Sequence, residues 1–176
     1  ITLTRRTVSA PGALSDLGRL VTPLGRRALV AIGGGSVRRS GVLDRALTSL
    51  TDAGLTAAVF EGIEPDPSTE TANAAAEACR ASGAEVVIGL GGGSALDTAK
   101  AVVKLATEQG HAPANGFVAI PSTSGSGSEV TSFAVISSHG RKEVLVSDDM
   151  APEMAILDPS VTTTLPPSLT ADTGTA

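Results

Sequence analysis

Three loops of very small residues, each placed directly after a short apolar segment, constrain the fold of this chain more than any other feature. They are the first glycine loop at residues 33–36 (GGGS), the second glycine loop at 91–94 (GGGS) and the serine loop at 122–128 (STSGSGS). Short apolar runs bounded by such turns are typical of strands that are buried on both faces. The loops therefore predict a buried sheet whose strand ends leave backbone groups open to a ligand.

Apolar strands alternate with segments of helical period along most of the chain, which predicts an α/β fold, a Rossmann-like parallel sheet flanked by helices. The length of 176 residues fits one domain, and we assign residues 1–176 to a single domain. An edge strand at 2–9, followed by a first helix, and a hairpin after residue 131 complete the pattern. The predicted strands of the main sheet are 27–32, 56–60, 85–90, 117–120 and 155–157, and those of the hairpin are 132–138 and 143–147.

Composition excludes several classes of function. A net charge of -5, with no Trp and no Tyr, provides neither the basic surface nor the stacking side chains that nucleic-acid binding requires. Cys79 is the only cysteine, so no intramolecular disulfide or thiolate cluster can form. No apolar run approaches 18 residues. We expect a cytoplasmic protein with neither a nucleic-acid nor a membrane partner.

The three loops are expected to converge on one crevice, because ligands of open parallel sheets bind outside the carboxyl ends of the strands. Amides of the second glycine loop, at a helix N-terminus, would favour a phosphate. The alternative is that glycines after strands only form tight turns. Neither glycine loop has the GxGxxG fingerprint, since Arg38 and Leu96 stand where the third glycine would be, and neither is a P-loop.

Ser94 and Asp97 allow two interpretations. Their spacing is that of a capping box, in which Ser94 caps the helix and Asp97 reaches back. Alternatively, Ser94 donates to a phosphate and Asp97 accepts from the ribose or carboxamide of a nicotinamide nucleotide. We expect Lys100 to form a solvated surface pair with Asp97. No pair of His, Asp and Glu has the spacing of metal ligands on a helix.

Three stretches together resemble the iron-containing (group III) alcohol dehydrogenase family: GGGSALDTAK at 91–100, PSTSGSGSEVTSFAVIS at 121–137 and AILDPSVTTTLPPSLTADTG at 155–174. The resemblance implies a dinucleotide cofactor and hydride transfer to or from a small alcohol or aldehyde. It also implies that Gly91, Gly92, Gly93, Ser94 and Asp97 lie near the pyrophosphate and nicotinamide, and that Ser122, Thr123 and Ser126 lie along the nucleotide.

The first glycine loop bears on the choice of cofactor. Many NAD-dependent members of the family have an Asp that binds the adenosine ribose, and Gly34 stands at that place here. The stretch at 33–44 resembles NADP-dependent butanol-dehydrogenase-like members, in which residues matching Gly34, Gly35 and Ser36 accommodate the 2′-phosphate. Arg38 and Arg39 would add positive charge, or would simply be exposed to solvent. We therefore expect NADP, with NAD as the alternative.

The resemblance is to the N-terminal, cofactor-binding half of such enzymes, which continue into an all-helical domain. We expect residues 166–176 to begin the link to that domain. The family holds its metal with one Asp and three His, and Ala176 stands at the place of the Asp, two residues after Gly174. Fe²⁺ or Zn²⁺ would then bind only with the missing domain, and this chain alone would be catalytically inactive.

Two further expectations concern surfaces. The missing domain would leave exposed apolar surface around Leu157, Leu165 and Leu169. The N-terminal edge strand would offer unpaired backbone groups and could support a homodimer. An alternative to the enzyme is a stand-alone nucleotide-binding module without catalysis.

Overall fold

A computed structural model of the chain describes residues 3–111 and 116–163. Its centre is a six-stranded sheet in which all five strand pairings are parallel. The strands of this sheet are β1 (Thr7–Ser9), β2 (Arg27–Ile32), β3 (Thr56–Phe60), β4 (Val86–Gly91), β5 (Phe117–Pro121) and β8 (Met154–Leu157). Their order across the sheet is β1-β8-β5-β4-β2-β3. An antiparallel hairpin of β6 (Phe133–Ser138) and β7 (Arg141–Val146) forms a separate sheet.

Helices cover both faces of the main sheet, which confirms the predicted α/β fold. Val30 and Ile32 of β2 belong to one apolar cluster, whereas Leu29 and Ala31 belong to another. The first cluster includes residues of the helices Leu17–Val21 and Val42–Asp52, and the second includes residues of the helices Thr69–Ser82 and Gly93–Glu108. This alternation explains why β2 is apolar from Ala28 to Ile32. The helices are α1 (Leu17–Val21), α2 (Ser36–Arg39), α3 (Val42–Asp52), α4 (Thr69–Ser82), α5 (Gly93–Glu108) and α6 (Pro159–Thr162).

Local signals in the sequence account for several element boundaries. The side chain of Ser68 accepts a hydrogen bond from the Thr71 amide at 3.1 Å and so caps the start of α4. Gly83 ends the same helix with a φ of 63°. The hairpin turns at His139 and Gly140, whose φ values of 49° and 75° match the tight turns preferred between antiparallel strands.

The N-terminal segment differs from its prediction. Its edge strand is confirmed at the edge of the sheet, but it spans only Thr7–Ser9 rather than residues 2–9. The predicted first helix is present as α1, which has only five residues and lies between two 3-10 turns, Ala13–Asp16 and Thr22–Leu24. Pro23 explains the second break, since a proline nitrogen has no hydrogen to donate to the preceding helical turn.

Only part of the apolar surface expected around Leu157, Leu165 and Leu169 falls within the described residues. Leu165 and Leu169 are outside the described residues, as is the expected link at 166–176, and Leu157 is half-buried. Exposed apolar side chains among the described residues include Leu3, which is 67% exposed, and three of the hairpin: Val144 and Val146 are 62% and 71% exposed and Phe133 is 44% exposed. Among the described residues, no helix combines the length and apolar character needed to cross a bilayer.

Candidate functional site

The strand order brings the three small-residue loops together. They follow β2, β4 and β5, which are consecutive neighbours in the parallel sheet, so all three lie at its carboxyl edge. The amide of Ser122 donates to the carbonyl oxygen of Gly91 at 2.8 Å and joins the serine loop to the second glycine loop. The predicted convergence of the loops is confirmed.

Glycines of the second loop lie where side chains would fill the space between the loops. Gly91 has a φ of 153°, and a Cβ atom there would lie 3.0 Å from the Cβ of Ala95. A Cβ on Gly92 would lie 3.4 Å from Thr123 Cγ2, and one on Gly93 would lie 3.4 Å from Ser126 Cβ. Larger side chains at these positions would occupy the approach to the backbone amides of the loop.

The N-terminus of α5 is well suited to bind an anion. The helix has 16 residues, and Gly92 precedes it without any side-chain cap. Its first backbone hydrogen bond runs from the Leu96 amide to the Gly92 carbonyl at 3.1 Å. The preceding amides therefore have no acceptor within the helix, and they add to the partial positive charge of its N-terminus. A phosphate group fits this donor set.

The capping-box interpretation of Ser94 and Asp97 is wrong. Ser94 lies inside α5, and its side chain makes no cap. Asp97 instead accepts from the Ser128 hydroxyl at 2.6 Å and from the Val135 amide at 3.0 Å. Because Ser128 ends the serine loop and Val135 lies in β6, Asp97 ties α5 to both. Its expected contact with the ribose or the nicotinamide carboxamide stays a prediction.

Lys100 is also misplaced by the sequence analysis, which expects it at the surface. Its side chain is fully buried, and its Nζ donates to Thr131 Oγ1 and to the Phe133 carbonyl oxygen, both at 2.9 Å. Burial lowers the pKa of Lys100 to about 8, against the opposing effect of the negative charges of Asp97 and Glu129. The signal was available, because Lys100 lies four residues after Leu96 and three before Val103 on the apolar face of the helix.

The first glycine loop is open and has positive charge beside it. Gly34 is exposed, and a Cβ atom there would meet nothing within 4 Å. Arg39 Nη1 lies 2.8 Å from the position of a Cβ on Gly35. Arg38 forms an ion pair with Glu61, in which Nε and Nη2 donate to Oε2 at 3.0 and 2.8 Å. No local sequence pattern indicates this partner of Arg38, which lies 23 residues further along the chain.

The serine-loop positions differ in accessibility. Ser122 is only 8% exposed, Thr123 is half-buried and Ser126 is exposed, so the latter two present their side chains more openly. A cleft of about 340 Å³ adjoins the loop. Within the described residues, Glu129 Oε2 in this cleft is buried and has no hydrogen-bond partner. The cleft is lined by Ser9, Pro121, Thr123, Ser124, Gly125, Glu129, Leu157, Asp158, Pro159 and Thr162.

Asp158 is a residue that sequence reasoning missed. It is 3% exposed, and its carboxylate accepts from the amides of Leu14 at 2.9 Å, Gly12 at 3.1 Å and Ser160 at 2.9 Å. Burial alone would raise the pKa of Asp158, but these hydrogen bonds outweigh it and hold the pKa below its usual value. Asp158 therefore fixes the turn before α1 against the start of α6, at the floor of the cleft.

The described residues do not fit a metal ion. In residues 3–111 and 116–163, no three or more His, Cys, Asp and Glu side chains lie together in a group that could hold one. His111 and His139 are both exposed. The predicted place of the family's metal-binding Asp, at Ala176, lies outside the described residues.

A parallel sheet with a glycine loop and an uncapped helix N-terminus at its carboxyl edge defines the class of nucleotide-binding α/β domains. The family model for iron-containing alcohol dehydrogenases matches residues 4–159. The chain belongs to that family, and the resemblance noted in its sequence is confirmed.

Similar proteins include dehydrogenases named for either nicotinamide cofactor. The chain is 36% identical to the NADPH-dependent butanol dehydrogenase of Clostridium saccharobutylicum, over 98% of this chain and 48% of that protein. It is 35% identical to NADH-dependent butanol dehydrogenase B of Clostridium acetobutylicum, over 93% of this chain and 45% of that protein. A solved structure of a 1,3-propanediol oxidoreductase matches 98% of this chain and 48% of its own with a TM-score of 0.90 and 30% identity. The chain thus spans about half the length of these relatives.

Proposed function

We propose that residues 1–176 form the dinucleotide-binding domain of an alcohol dehydrogenase or aldehyde reductase. The parent reaction is hydride transfer between NADP(H) and a small alcohol or aldehyde. One observation carries the proposal: the second glycine loop meets the serine loop at the uncapped N-terminus of α5. Membership of the family and the names of the relatives support the reaction class.

The pyrophosphate has a clear binding place in this proposal. Gly91, Gly92 and Gly93 allow it to approach the backbone, while Ser94 in the first turn of α5 can donate from its hydroxyl. Thr123 and Ser126 flank the same loop within van der Waals reach of Cβ atoms built on Gly92 and Gly93. Their hydroxyls, and the more buried Ser122, would line the path of the nucleotide.

Support for NADP(H) comes from the first glycine loop. A carboxylate at position 34 would repel a 2′-phosphate, and the space beside Gly34 is open instead. Gly35 and Ser36 leave the backbone accessible, and the guanidinium of Arg39 lies over Gly35. A guanidinium is suited to phosphate oxygens because it presents several fixed donors. NAD(H) is the alternative cofactor.

A metal ion belongs to another part of the proposed enzyme. When bound, Fe²⁺ or Zn²⁺ would polarise the substrate oxygen as a Lewis acid. We propose that the described residues hold the dinucleotide and that a helical half reached through residues 166–176 supplies the metal ligands. We also propose a homodimer through the exposed edge of β1.

Calorimetric titration with NADPH and NADH at the same salt concentration tests the proposal. We expect both to bind and NADPH to bind more tightly. Gly93→Val should weaken the binding of both cofactors equally. Gly93 is the first residue of α5, and the branched side chain of valine there would project towards Ser126 of the serine loop. Thr48→Val, at an exposed position of α3, is the control and should change neither affinity.

The outcomes separate the parts of the proposal. If neither dinucleotide binds the wild-type protein, the proposed function is wrong. If NADH binds as tightly as NADPH, only the argument from Gly34 fails. Unchanged affinities in Gly93→Val would contradict the placement of the pyrophosphate.

A further inference from the structure

The ion pair between Arg38 and Glu61 lies beside the first glycine loop. Strands β2 and β3 are paired, with Ala31 next to Phe60. Arg38 follows β2 and Glu61 follows β3, so both lie at the carboxyl edge of the sheet. Arg38 and Glu61 have side-chain exposures of 52% and 55%, so a ligand at this edge can reach them. Their contact is short, and both guanidinium donors go to a single carboxylate oxygen.

The pair is close to where the ribose end of a dinucleotide would lie. Strand β2 is the direct neighbour of β4, and a Cβ atom on Gly91 would lie 4.0 Å from the Gly33 amide nitrogen. In nucleotide-binding sheets, an acidic side chain near the ribose favours its 2′-hydroxyl, and an arginine there accommodates a 2′-phosphate. This chain has one residue of each kind at that edge, and they are paired with each other.

Resting on the proposed function, we propose that Glu61 is a specificity-determining residue that competes with the 2′-phosphate of NADP(H) for Arg38. A guanidinium can bind a carboxylate or a phosphate with similar geometry, so Arg38 can exchange one for the other. An exposed ion pair is weak and easily exchanged. A phosphate monoester carries more negative charge than a carboxylate near neutral pH and is the stronger competitor. NAD(H) has no such group and leaves the pair intact.

Glu61→Gln removes the competing charge while keeping the shape of the side chain. Titration with NADPH should then show a dissociation constant lower by roughly fivefold, the size expected for release of one exposed ion pair. The dissociation constant of NADH should change by less than about twofold, because NADH has no 2′-phosphate to compete for Arg38. In an Arg38→Gln background, Glu61→Gln should give no gain for NADPH.

Glu108→Gln is a matched control. Glu108 is an exposed glutamate in an ion pair with Lys104, and it lies at the C-terminal end of α5, away from the carboxyl edge of the sheet. Its neutralisation changes the net charge equally and should leave both affinities unchanged.

Three results would overturn the inference: NADPH affinity unchanged in Glu61→Gln, an equal gain for NADH, or a gain that persists without Arg38. In each of these the wild-type protein still binds dinucleotides, so the proposed function stands. Failure of the wild-type protein to bind either cofactor would contradict the proposed function and this inference together.

Discussion

Replacing Asp158 by Asn tests how strongly the floor of the cleft is held. The Asp158 carboxylate accepts from the Gly12 and Ser160 amides through Oδ1 and from the Leu14 amide through Oδ2. Asparagine retains one acceptor oxygen, and if that oxygen takes the place of Oδ1, the new NH₂ group faces the Leu14 amide. Two donors then oppose each other in a buried place, because Leu14 is fully buried and Asp158 is 3% exposed.

The expected cost follows from these contacts. One hydrogen bond to a charged acceptor is lost, and a buried amide is left without a partner, which together cost about 3 kcal/mol of unfolding free energy. For a chain of this length, that loss corresponds to a decrease in the melting temperature of about 6 to 12 °C. Asp52→Asn is the control, since Asp52 is exposed on α3 and its neutralisation should cost less than about 0.5 kcal/mol.

The pH dependence of the difference between wild type and Asp158→Asn is a second measure. Burial raises the pKa of Asp158, but hydrogen bonds hold it below the usual 3.8. The stabilisation is therefore complete above pH 3.8 and is lost as the pH falls through the lowered native pKa. Urea denaturation from neutral to acidic pH should show the gap between the two proteins closing. A gap below about 1 kcal/mol at neutral pH, or one that persists in acid, would refute the reasoning.

Further stability predictions concern three other positions. Gly18→Ala should lower the free energy of unfolding by about 3 kcal/mol, because the new Cβ atom would lie 2.1 Å from the Ser49 carbonyl oxygen. In thermal unfolding, a loss of less than about 1 kcal/mol would show that α1 shifts freely on α3. Burial raises the pKa of Glu64, but hydrogen bonds from its own backbone, Ser68 and Thr71 hold it at about 2. Glu64→Gln should therefore lose about 1 to 2 kcal/mol at neutral pH, with the loss vanishing between pH 4.5 and about 2 in acid titrations. Burial lowers the pKa of Lys100 from 10.5 to about 8, so wild-type stability should rise, by at most about 3 kcal/mol, across that interval. Lys100→Met should lack the rise in urea denaturation at matched pH, and an equal rise would contradict the burial of the charge.

Local patterns were sufficient for the sheet and for the position of the loops. The predicted strands 27–32 and 56–60 coincide with Arg27–Ile32 and Thr56–Phe60, because β2 packs on both faces and its apolar run has no interruption. The hairpin strands predicted at 132–138 and 143–147 correspond to Phe133–Ser138 and Arg141–Val146. Hydrophobic periodicity and turn residues involve only a few neighbouring positions, so one sequence is sufficient to identify them.

Contacts between distant segments were not predictable in this way. Asp158 binds an amide 144 residues earlier in the chain, and no local pattern records that partner. Arg38 and Glu61 meet only because β2 and β3 are neighbours in the sheet. The charge of Lys100 predicts a surface position, but Thr131 and Phe133, which are distant in sequence, provide the acceptors that allow its burial.

The two side chains of α5 that hold the hairpin have a mechanical consequence. Asp97 binds Ser128 and Val135, and Lys100 binds Thr131 and Phe133, so four hydrogen bonds fasten the entire 128–135 segment to the helix. The hairpin cannot tilt away from α5 without rupturing them. Slow hydrogen exchange at the Val135 amide would therefore indicate that the serine loop, which ends at Ser128, is also held against α5. The Val135 amide can report on this loop although it lies in the hairpin rather than in the main sheet.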